Sequence, residues 1–350
     1  MKDLAIPAKK TTRIMSGMRP TGRLHLGHYF GALTNWVAFQ QKYESYYSIV
    51  DWHALTTKYQ DPSEIGKNIF EITLDWLCVG IDPEQCTLYV QSSVKEIAEL
   101  HLLLSMITRQ NWVEREPTLK DMVKMLAADE KEAQEKCTYG LIGYPVLMSA
   151  DILAFKGELI PVGKDQESHL EFARNLARKF NSLYEVDFFP EPKPKFTTTS
   201  LLKGLDGQKM GKSYNNDIKI ADTAEDTIKK MSRAITDRTR IARTDPGHTD
   251  LCEVPWPLYS VFADQELREV VKKECESAEI GCVDCKKRLS HLINEFFAPF
   301  REKREQLSKD PDRVFKILAH GNKKASLVAQ ATLKEVREIM GLTNWTSDDC

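Results

Sequence analysis

The sequence predicts an α/β fold in which a parallel sheet is interrupted by a helical insertion and followed by an α-helical region. Short apolar runs at 13–18, 46–50 and 87–90 alternate with helical patterns. This β-α-β-α-β order favours a parallel sheet with helices on both faces. After about Asn215 the pattern is helical to the end. A length of 350 residues is sufficient for two domains.

Composition restricts the class of protein. The chain has 49 Lys and Arg against 51 Asp and Glu, a formal charge of −2, with 42% hydrophobic residues, as in ordinary globular proteins. Because no apolar run reaches the roughly 18 residues of a membrane helix and residues 1–13 lack a signal-like core, we expect no secretory signal and no membrane partner. Since the net charge is near zero, a nucleic acid could bind only at a local basic patch.

The first elements are predicted from spacing. Strand 13–18 leads into a turn at 19–22, and apolar residues then recur at helical intervals (Leu26, Tyr29, Phe30, Leu33, Trp36 and Val37). A second strand covers 46–50. Ser63 is predicted to cap the next helix, which ends at Gly80, and a third strand covers 87–90.

The later elements change in character. Residues 94–150 read as a mostly helical insertion, and strands are predicted at 159–162 and 196–202. Between 286 and 338 we count about 13 basic against 7 acidic residues, so the late helices are locally positive. A solvated face and an RNA-binding patch explain this excess equally well.

The first motif with chemical content follows the first strand. Thr21 and Gly22 precede His25-Leu-Gly27-His28, which opens a helix. Because the two histidines are three residues apart, we expect them to share one helical face. Glycines allow close approach, and a helix N-terminus favours an anion. The motif therefore predicts a phosphate site with two imidazole donors. The alternative is a pair of surface histidines.

The second motif is the glycine-rich, basic segment 204–213. It contains Lys209-Met210-Gly211-Lys212-Ser213 after glycines at 204 and 207. The glycines around the two lysines predict a mobile loop, in which the lysines can follow charge that develops on a leaving pyrophosphate. Taken alone, the segment would more often be an exposed basic turn.

Together, the two motifs resemble the HIGH and KMSKS signatures of class I aminoacyl-tRNA synthetases. Their order and separation fit, and the size resembles the tryptophanyl/tyrosyl branch. Gly211 departs from the pattern, which usually has serine there. The resemblance implies a Rossmann-like catalytic domain at 1–215, an α-helical tRNA anticodon-binding domain at 216–350, and a homodimer with the insertion at its interface.

A helical segment indicates which amino acid is bound. Tyr144, Met148 and Asp151 are spaced to line one face of a helix. An indole offers one N–H donor, which Asp151 can accept, and Met148 offers a polarizable wall for a flat ring. The segment is similar to the tryptophan-recognition helix of tryptophanyl-tRNA synthetases. Tyrosyl enzymes usually have glutamine at the position of Met148.

The resemblance assigns roles to further residues. It implies catalytic roles for His25, His28, Lys209, Lys212 and Ser213. It implies ATP contacts for Arg19, Thr21, Gly27, His28, Gly163, Asp165, Lys209, Met210 and Lys212, and tryptophan contacts for Gly17, Asp51, Tyr144, Met148, Asp151 and Gln166. Asp165 could instead be a helix cap, and His53 a core histidine.

Four of the eight cysteines lie close together in the sequence. Cys252, Cys275, Cys282 and Cys285 are separated by 22, 6 and 2 residues. Four thiolates can hold zinc or an iron–sulfur cluster. The spacing resembles a four-cysteine site that holds a [4Fe–4S] cluster in a subset of bacterial tryptophanyl-tRNA synthetases. A zinc site and unligated buried thiols remain alternatives.

The implied reaction joins L-tryptophan to tRNA(Trp). The tryptophan carboxylate attacks the α-phosphorus of ATP with Mg²⁺ as partner, and the resulting adenylate passes its acyl group to the tRNA. Positioning and charge stabilisation are sufficient for the first step. A tyrosine–tRNA ligase and a non-catalytic RNA-binding or redox-sensing paralogue remain as rivals.

Overall fold

The architecture is a five-stranded parallel sheet with helices on both faces, seen in a computed structural model. The structure describes residues 11–117, 119, 122–123, 129–163, 167–196 and 202–342. The strands are β1 (Arg13–Met18), β2 (Glu44–Ile49), β3 (Cys86–Val90), β4 (Leu159–Val162) and β5 (Lys193–Phe196), in the order β3-β2-β1-β4-β5. The α/β prediction is confirmed.

The helices before β4 cover the sheet and build the insertion. Helix α1 (Leu26–His28) continues through a π-helical turn (Tyr29–Leu33) into α2 (Thr34–Phe39), and α3 (Asp51–Lys58) and α4 (Ile65–Val79) follow. Between β3 and β4 lie α5 (Glu96–Ile107), α6 (Gln110–Glu114), α7 (Glu130–Lys136), α8 (Tyr139–Ile142) and α9 (Tyr144–Leu153). In the described residues, the insertion is helical as predicted.

The remaining helices follow β4. Helix α10 (Glu167–Tyr184) connects β4 to β5. After the lysine loop come α11 (Ala224–Ser232), α12 (Pro255–Phe262), α13 (Gln265–Glu276), α14 (Cys282–Ser308) and α15 (Pro311–Ile339). None of the helices in the described residues is long and apolar enough to cross a membrane.

The sheet separates two apolar cores. Side chains alternate along β1, so Ile14 packs with α2, α4 and α14 while Met15 packs with α5, α9 and α10. The chain builds β1, β2 and β3 outward in one direction and then crosses to β4 on the other side of β1. Ligands bind at such a reversal, beyond the carboxyl ends of the strands.

One local prediction was wrong. Helix α4 begins at Ile65 with Glu64 as its N-cap, and Ser63 does not cap it because its hydroxyl donates to Asp61 Oδ1 at 2.6 Å. A described strand, β5, lies at Lys193–Phe196, and residues 197–201 of the strand predicted at 196–202 lie outside the described residues. Its two lysines hid the strand from an apolar search, and charge is common on an edge strand.

The opposite edge of the sheet is covered by α15. Gly321 faces the backbone of β3 so closely that a Cβ there would lie 1.7 Å from the carbonyl oxygen of Leu88. The neighbouring Asn322 Oδ1 accepts the N–H of Val90 at 2.8 Å. The C-terminal helix therefore blocks an edge that could otherwise pair with another strand.

Candidate active site

The histidine motif lies at the carboxyl end of β1, as predicted. His25 is the extended N-cap residue of α1 and is 6% exposed, so the two histidines do not share a helical face as predicted. Their rings nevertheless stack with centroids 3.7 Å apart, and the His25 N–H donates to His28 Nδ1 at 3.3 Å. A Cβ on Gly27 would lie 3.0 Å from the His25 ring, so glycine is required for this approach.

Both imidazoles are neutral at physiological pH. Burial lowers the pKa of His25 to about 4, with Asp217 opposing and Lys212 adding to the shift. Burial also holds the pKa of His28 well below its usual value, helped by His25 and Lys212. A neutral ring still has one N–H to donate. The pair therefore suits hydrogen bonding to phosphate oxygens rather than ionic attraction.

The lysine motif is joined directly to the histidine motif. The N–H of Leu26 donates to the carbonyl of Ile218 at 3.0 Å, and the N–H of Ile220 donates to that of Leu24 at 3.0 Å. Lys212 Nζ donates to the carbonyl of Gly22 at 2.5 Å. Two segments almost two hundred positions apart in the sequence thus form one site.

Asn216, which is 3% exposed, holds the lysine loop through side-chain hydrogen bonds. Its Oδ1 accepts the N–H of Gly211 at 2.9 Å, while its Nδ2 donates to Asp206 Oδ1 at 2.8 Å and to the carbonyl of Lys209 at 3.1 Å. Mobility of the loop stays a prediction, and no role was assigned to this asparagine from the sequence. An amide three residues beyond the basic motif was the available signal, because Asn commonly bonds to nearby backbone.

Lys212 is held in an environment that weakens its charge. Burial lowers its pKa to about 8, while Asp75 and Asp217 oppose the shift and Lys219 and Arg19 add to it. The ammonium group is therefore mostly protonated at pH 7 and can lose its proton slightly above that. Such an ammonium group can pair with a polyphosphate, and it can respond when the charge of that polyphosphate changes.

The structure describes only some of the remaining residues that were predicted to contact ATP. Arg19 and Thr21 follow β1 and are exposed, Met210 is 6% exposed and lies near Gly27, and Gly163 follows β4 directly. Asp165 lies outside the described residues, and the Ser213 side chain is not described. Their predicted contacts stay predictions.

The predicted amino-acid pocket lies on α9. Tyr144 and Met148 are partly buried, and Asp151 is 4% exposed on the same helix. Burial raises the pKa of Tyr144 to about 12, as does Glu116, while Arg19 opposes the shift. The phenol is therefore neutral.

Asp151 is held by two side chains that the sequence analysis did not assign to the pocket. Gln91 Nε2 donates to both carboxylate oxygens, at 2.8 and 2.9 Å, and His53 Nε2 lies 2.9 Å from Oδ2. The His53 ring also meets the Tyr144 ring edge-on at 5.3 Å. Gln91 directly follows β3, so its place at the ligand-binding edge was an available signal.

Gly17 and Asp51 lie at this same edge. A Cβ on Gly17 would lie 2.9 Å from Val50 Cγ1, which leaves no space for a side chain. Asp51 accepts the N–H of Ser92 at 2.9 Å and also its hydroxyl, so it connects the ends of β2 and β3. Its predicted tryptophan contact stays a prediction, and Gln166 lies outside the described residues.

The four clustered thiols converge in space. Cys252 follows a 3₁₀ turn (Thr249–Leu251), Cys275 ends α13, and Cys282 and Cys285 open α14. Burial raises the pKa of Cys285 to about 12, and the other three thiols add to the shift. Arg240 Nη1 lies 3.9 Å from Cys275 Sγ and 4.0 Å from Cys282 Sγ. In the described part of the chain, no three His, Cys, Asp or Glu side chains are already arranged to hold one metal ion.

Part of the positive charge on the late helices is directed inward. Arg304 pairs with Glu71 and Asp75 of α4, Lys303 Nζ donates to the carbonyl of Leu77 at 2.6 Å, and Arg337 pairs with Glu99. These cations attach the helical region to the sheet domain. The predicted RNA patch is correspondingly smaller than the sequence count suggested.

The sheet topology and the joined histidine and lysine loops define a class I aminoacyl-tRNA synthetase. Residues 8–298 match the family model of class I tRNA synthetases for tryptophan and tyrosine (W and Y), and the chain belongs to this family.

Similar proteins within that family are named as enzymes for tryptophan. A tryptophan–tRNA ligase of Aquifex aeolicus is 38% identical, with 94% of this chain and 100% of the relative covered. A tryptophan–tRNA ligase of Thermotoga maritima is 43% identical, with 94% and 99% covered. A solved tryptophanyl-tRNA synthetase of Campylobacter jejuni, complexed with ADP and tryptophan, is similar with a TM-score of 0.85 and 34% identity, covering 95% of this chain and all of that one.

Proposed function

We propose that this protein ligates L-tryptophan to tRNA(Trp) in two steps: ATP-dependent formation of tryptophanyl-adenylate, and transfer of the tryptophanyl group from the adenylate to the tRNA with release of AMP. The observation that carries the proposal is the backbone pairing of the histidine and lysine loops, which forms one phosphate site beside the α9 pocket. Relatives named as tryptophan–tRNA ligases along almost the whole chain support the choice of amino acid.

The first step needs positioning and charge rather than a protein nucleophile. The neutral imidazoles of His25 and His28 donate to ATP phosphate oxygens, and Lys212 balances the charge that moves onto the pyrophosphate. Mg²⁺ accompanies ATP as its counter-ion. Bond breaking releases pyrophosphate and leaves tryptophan joined to AMP through its carboxylate.

The pocket selects tryptophan through Asp151 and Met148. His53 and Gln91 fix the carboxylate so that a free lone pair can accept the indole N–H. Met148 provides a polarizable surface without a hydrogen-bonding group for a phenol. A pocket that pairs one buried polar group in this way discriminates strongly without editing.

Pyrophosphate exchange tests the proposal. We expect ATP–pyrophosphate exchange that depends on tryptophan and is not supported by tyrosine. Exchange with tyrosine alone would favour the tyrosine–tRNA ligase. Exchange with neither amino acid would favour a non-catalytic paralogue.

We also propose that the four cysteines hold a [4Fe–4S] cluster, with zinc as the alternative. The other three thiols lie close enough to Cys285 to raise its pKa, and the cation Arg240 lies beside Cys275 and Cys282. Thiolates suit both groups. Bound there, the group would join the loop before α12 to α13 and α14 and stabilise the helical region.

Anaerobic purification followed by absorption spectroscopy and metal analysis distinguishes the two groups. A brown protein with iron and sulfide supports the cluster. A colourless protein that contains zinc supports the alternative, and the absence of any metal would contradict both.

The partners follow from the same proposal. tRNA(Trp) would contact those basic side chains of the late helices that do not pair with the sheet domain. The enzyme would be cytoplasmic. A homodimer through the insertion stays a prediction, supported by three large apolar side chains that are 53%, 67% and 76% exposed there: Leu102, Met106 and Tyr139. Analytical ultracentrifugation that gives a monomer at micromolar concentration would contradict the homodimer.

A further inference from the structure

Asp75 of α4 is a fully buried carboxylate that the mechanism above does not use. It is 0% exposed, and both of its oxygens are engaged. Oδ2 accepts the N–H of Leu24 at 3.1 Å, and Oδ1 accepts Arg304 Nε at 2.8 Å. A buried charge of this kind is costly unless it is paired, and apolar residues would fill the same space at lower cost. Its presence therefore calls for a role beyond packing.

The partners of Asp75 come from two parts of the molecule. Arg304 belongs to α14 in the C-terminal helical region, and its side chain is 13% exposed. It also pairs with Glu71, one turn before Asp75 on α4, and Glu71 accepts Arg23 Nε at 2.9 Å. The network thus connects α14, α4 and the turn that precedes His25.

That turn forms the base of the phosphate site. The N–H of Leu24 is fixed by Asp75, and the next residue is His25. Two residues earlier, the carbonyl of Gly22 accepts Lys212 Nζ at 2.5 Å. Asp75 consequently holds the backbone between the two groups that meet the triphosphate.

Asp75 also acts on Lys212 through its charge. Among the groups facing that ammonium, Asp75 contributes most to keeping the Lys212 pKa from falling further, followed by Asp217. Lys219 and Arg19 lower the same pKa. The nearby histidines, His25 and His28, are neutral and add no charge.

We propose that Asp75 is a positioning residue of the triphosphate site, which fixes the turn before His25 and keeps Lys212 cationic, with Arg304 as its counter-charge from the helical region. The expected effect of Asp75 on catalysis rests on the proposed function. Its expected effect on the protonation of Lys212 does not. Burial raises the pKa of Asp75 and Arg304 opposes this. Loss of Arg304 would therefore favour protonation of Asp75. The pKa of Lys212 would then fall, as it would on loss of the Asp75 carboxylate.

The test uses Asp75→Asn, which preserves size and an acceptor for Leu24 and removes the charge. Reaction of Lys212 with acetic anhydride is followed against pH by mass spectrometry of its peptide, a readout that needs no enzyme activity. We expect the midpoint to move to lower pH by about one unit, since an anion beside a cation has an effect of that order. The basic limb of tryptophan-dependent pyrophosphate exchange should move with it, and tryptophan binding should stay unchanged.

Glu71→Gln is the matched control. It removes the other carboxylate of the same network, one turn away, and should leave the Lys212 midpoint in place. If Asp75→Asn does not fold, Arg304→Gln and Arg304→Lys replace it: the Gln variant should lower the midpoint and the Lys variant should restore it. Equal midpoints in wild type and in the charge-removing variant would overturn the proposal. Wild-type protein without exchange would instead overturn the proposed function.

Discussion

Lys212 is the residue whose environment most directly connects the structure to a measurable rate. Its ammonium group is desolvated between two histidines and two aspartates, and its carbon chain contacts Gly22. Lys212→Ala removes the cation that balances the leaving pyrophosphate. We expect the exchange rate to fall by roughly two to three orders of magnitude, the usual cost of removing one such group.

Equilibrium binding of tryptophan in the absence of ATP is the control for Lys212→Ala. The amino-acid pocket lies on α9 and does not contain this lysine, so the affinity should change less than twofold. An equal loss of tryptophan binding and of exchange would contradict the assignment of Lys212 to the triphosphate.

The same lysine predicts a pH dependence. Because burial lowers the pKa of Lys212 to about 8, the protonated form that balances phosphate charge is lost as the pH rises through that value. The exchange rate should therefore fall on the basic side with a midpoint near pH 8. A rate that stays constant to pH 10 would show that the charge of Lys212 is not required.

Met148 predicts the direction of amino-acid selectivity. Met148→Gln places an amide against the indole and offers a partner to a phenol. We expect kcat/KM for tryptophan to fall about tenfold or more, the effect of one mismatched pocket group. Competition between tryptophan and tyrosine in the exchange assay measures the change. Unaltered selectivity would show that Met148 does not contribute to recognition of the amino acid.

The sequence motifs supplied the residues proposed for the chemistry but not the residues that hold them in place. His25, Lys212 and Asp151 belong to short motifs with local spacing. Asn216 and Gln91 act through hydrogen bonds to groups that the fold brings near, and their places just after the lysine motif and just after β3 were the only local signals of that role. Long-range partners of this kind are invisible to periodicity.

At the scale of elements, α15 packs against β3 with backbone close to backbone. A Cβ on Gly321 would overlap the Leu88 carbonyl, and the atom it meets is backbone rather than the end of a flexible side chain. We expect Gly321→Ala to lower the free energy of unfolding by about 2 kcal/mol, in the range measured for overpacked cores.

Gly66→Ala is the matched control for that substitution. Gly66 lies in the first turn of α4, and a Cβ there meets nothing within 4 Å. Its replacement should be neutral or stabilise by up to about 1 kcal/mol, the helix preference of alanine over glycine. Chemical denaturation followed by circular dichroism measures both variants, and similar values for the two would refute the close contact.

The sequence located the first four strands closely. Strands β1 and β4 have the bounds that the sequence indicated, and β2 and β3 differ from theirs by one or two residues. The edge strand β5 was not predicted, because its two lysines break the apolar pattern. The start of α4 was missed because Ser63 has a nearer partner in Asp61 than the helix backbone.

At the scale of the whole molecule, the late cations divide between two tasks. Arg304 and Arg337 attach the helical region to α4 and α5, and this leaves fewer basic side chains for RNA than the sequence count implied. A net charge of −2 therefore accompanies a protein whose RNA affinity would depend on a small patch. Such a patch suits a partner that is bound and then released.

The central claim is that the joined loops and the α9 pocket activate tryptophan and transfer it to tRNA(Trp). The most direct measurement is ATP-dependent attachment of radiolabelled tryptophan to a tRNA(Trp) transcript by the purified protein, with a tRNA(Tyr) transcript and labelled tyrosine as the matched pair. The account predicts charging of tRNA(Trp) with tryptophan alone. Charging of tRNA(Tyr) with tyrosine, or the absence of any charging by folded protein, would contradict it.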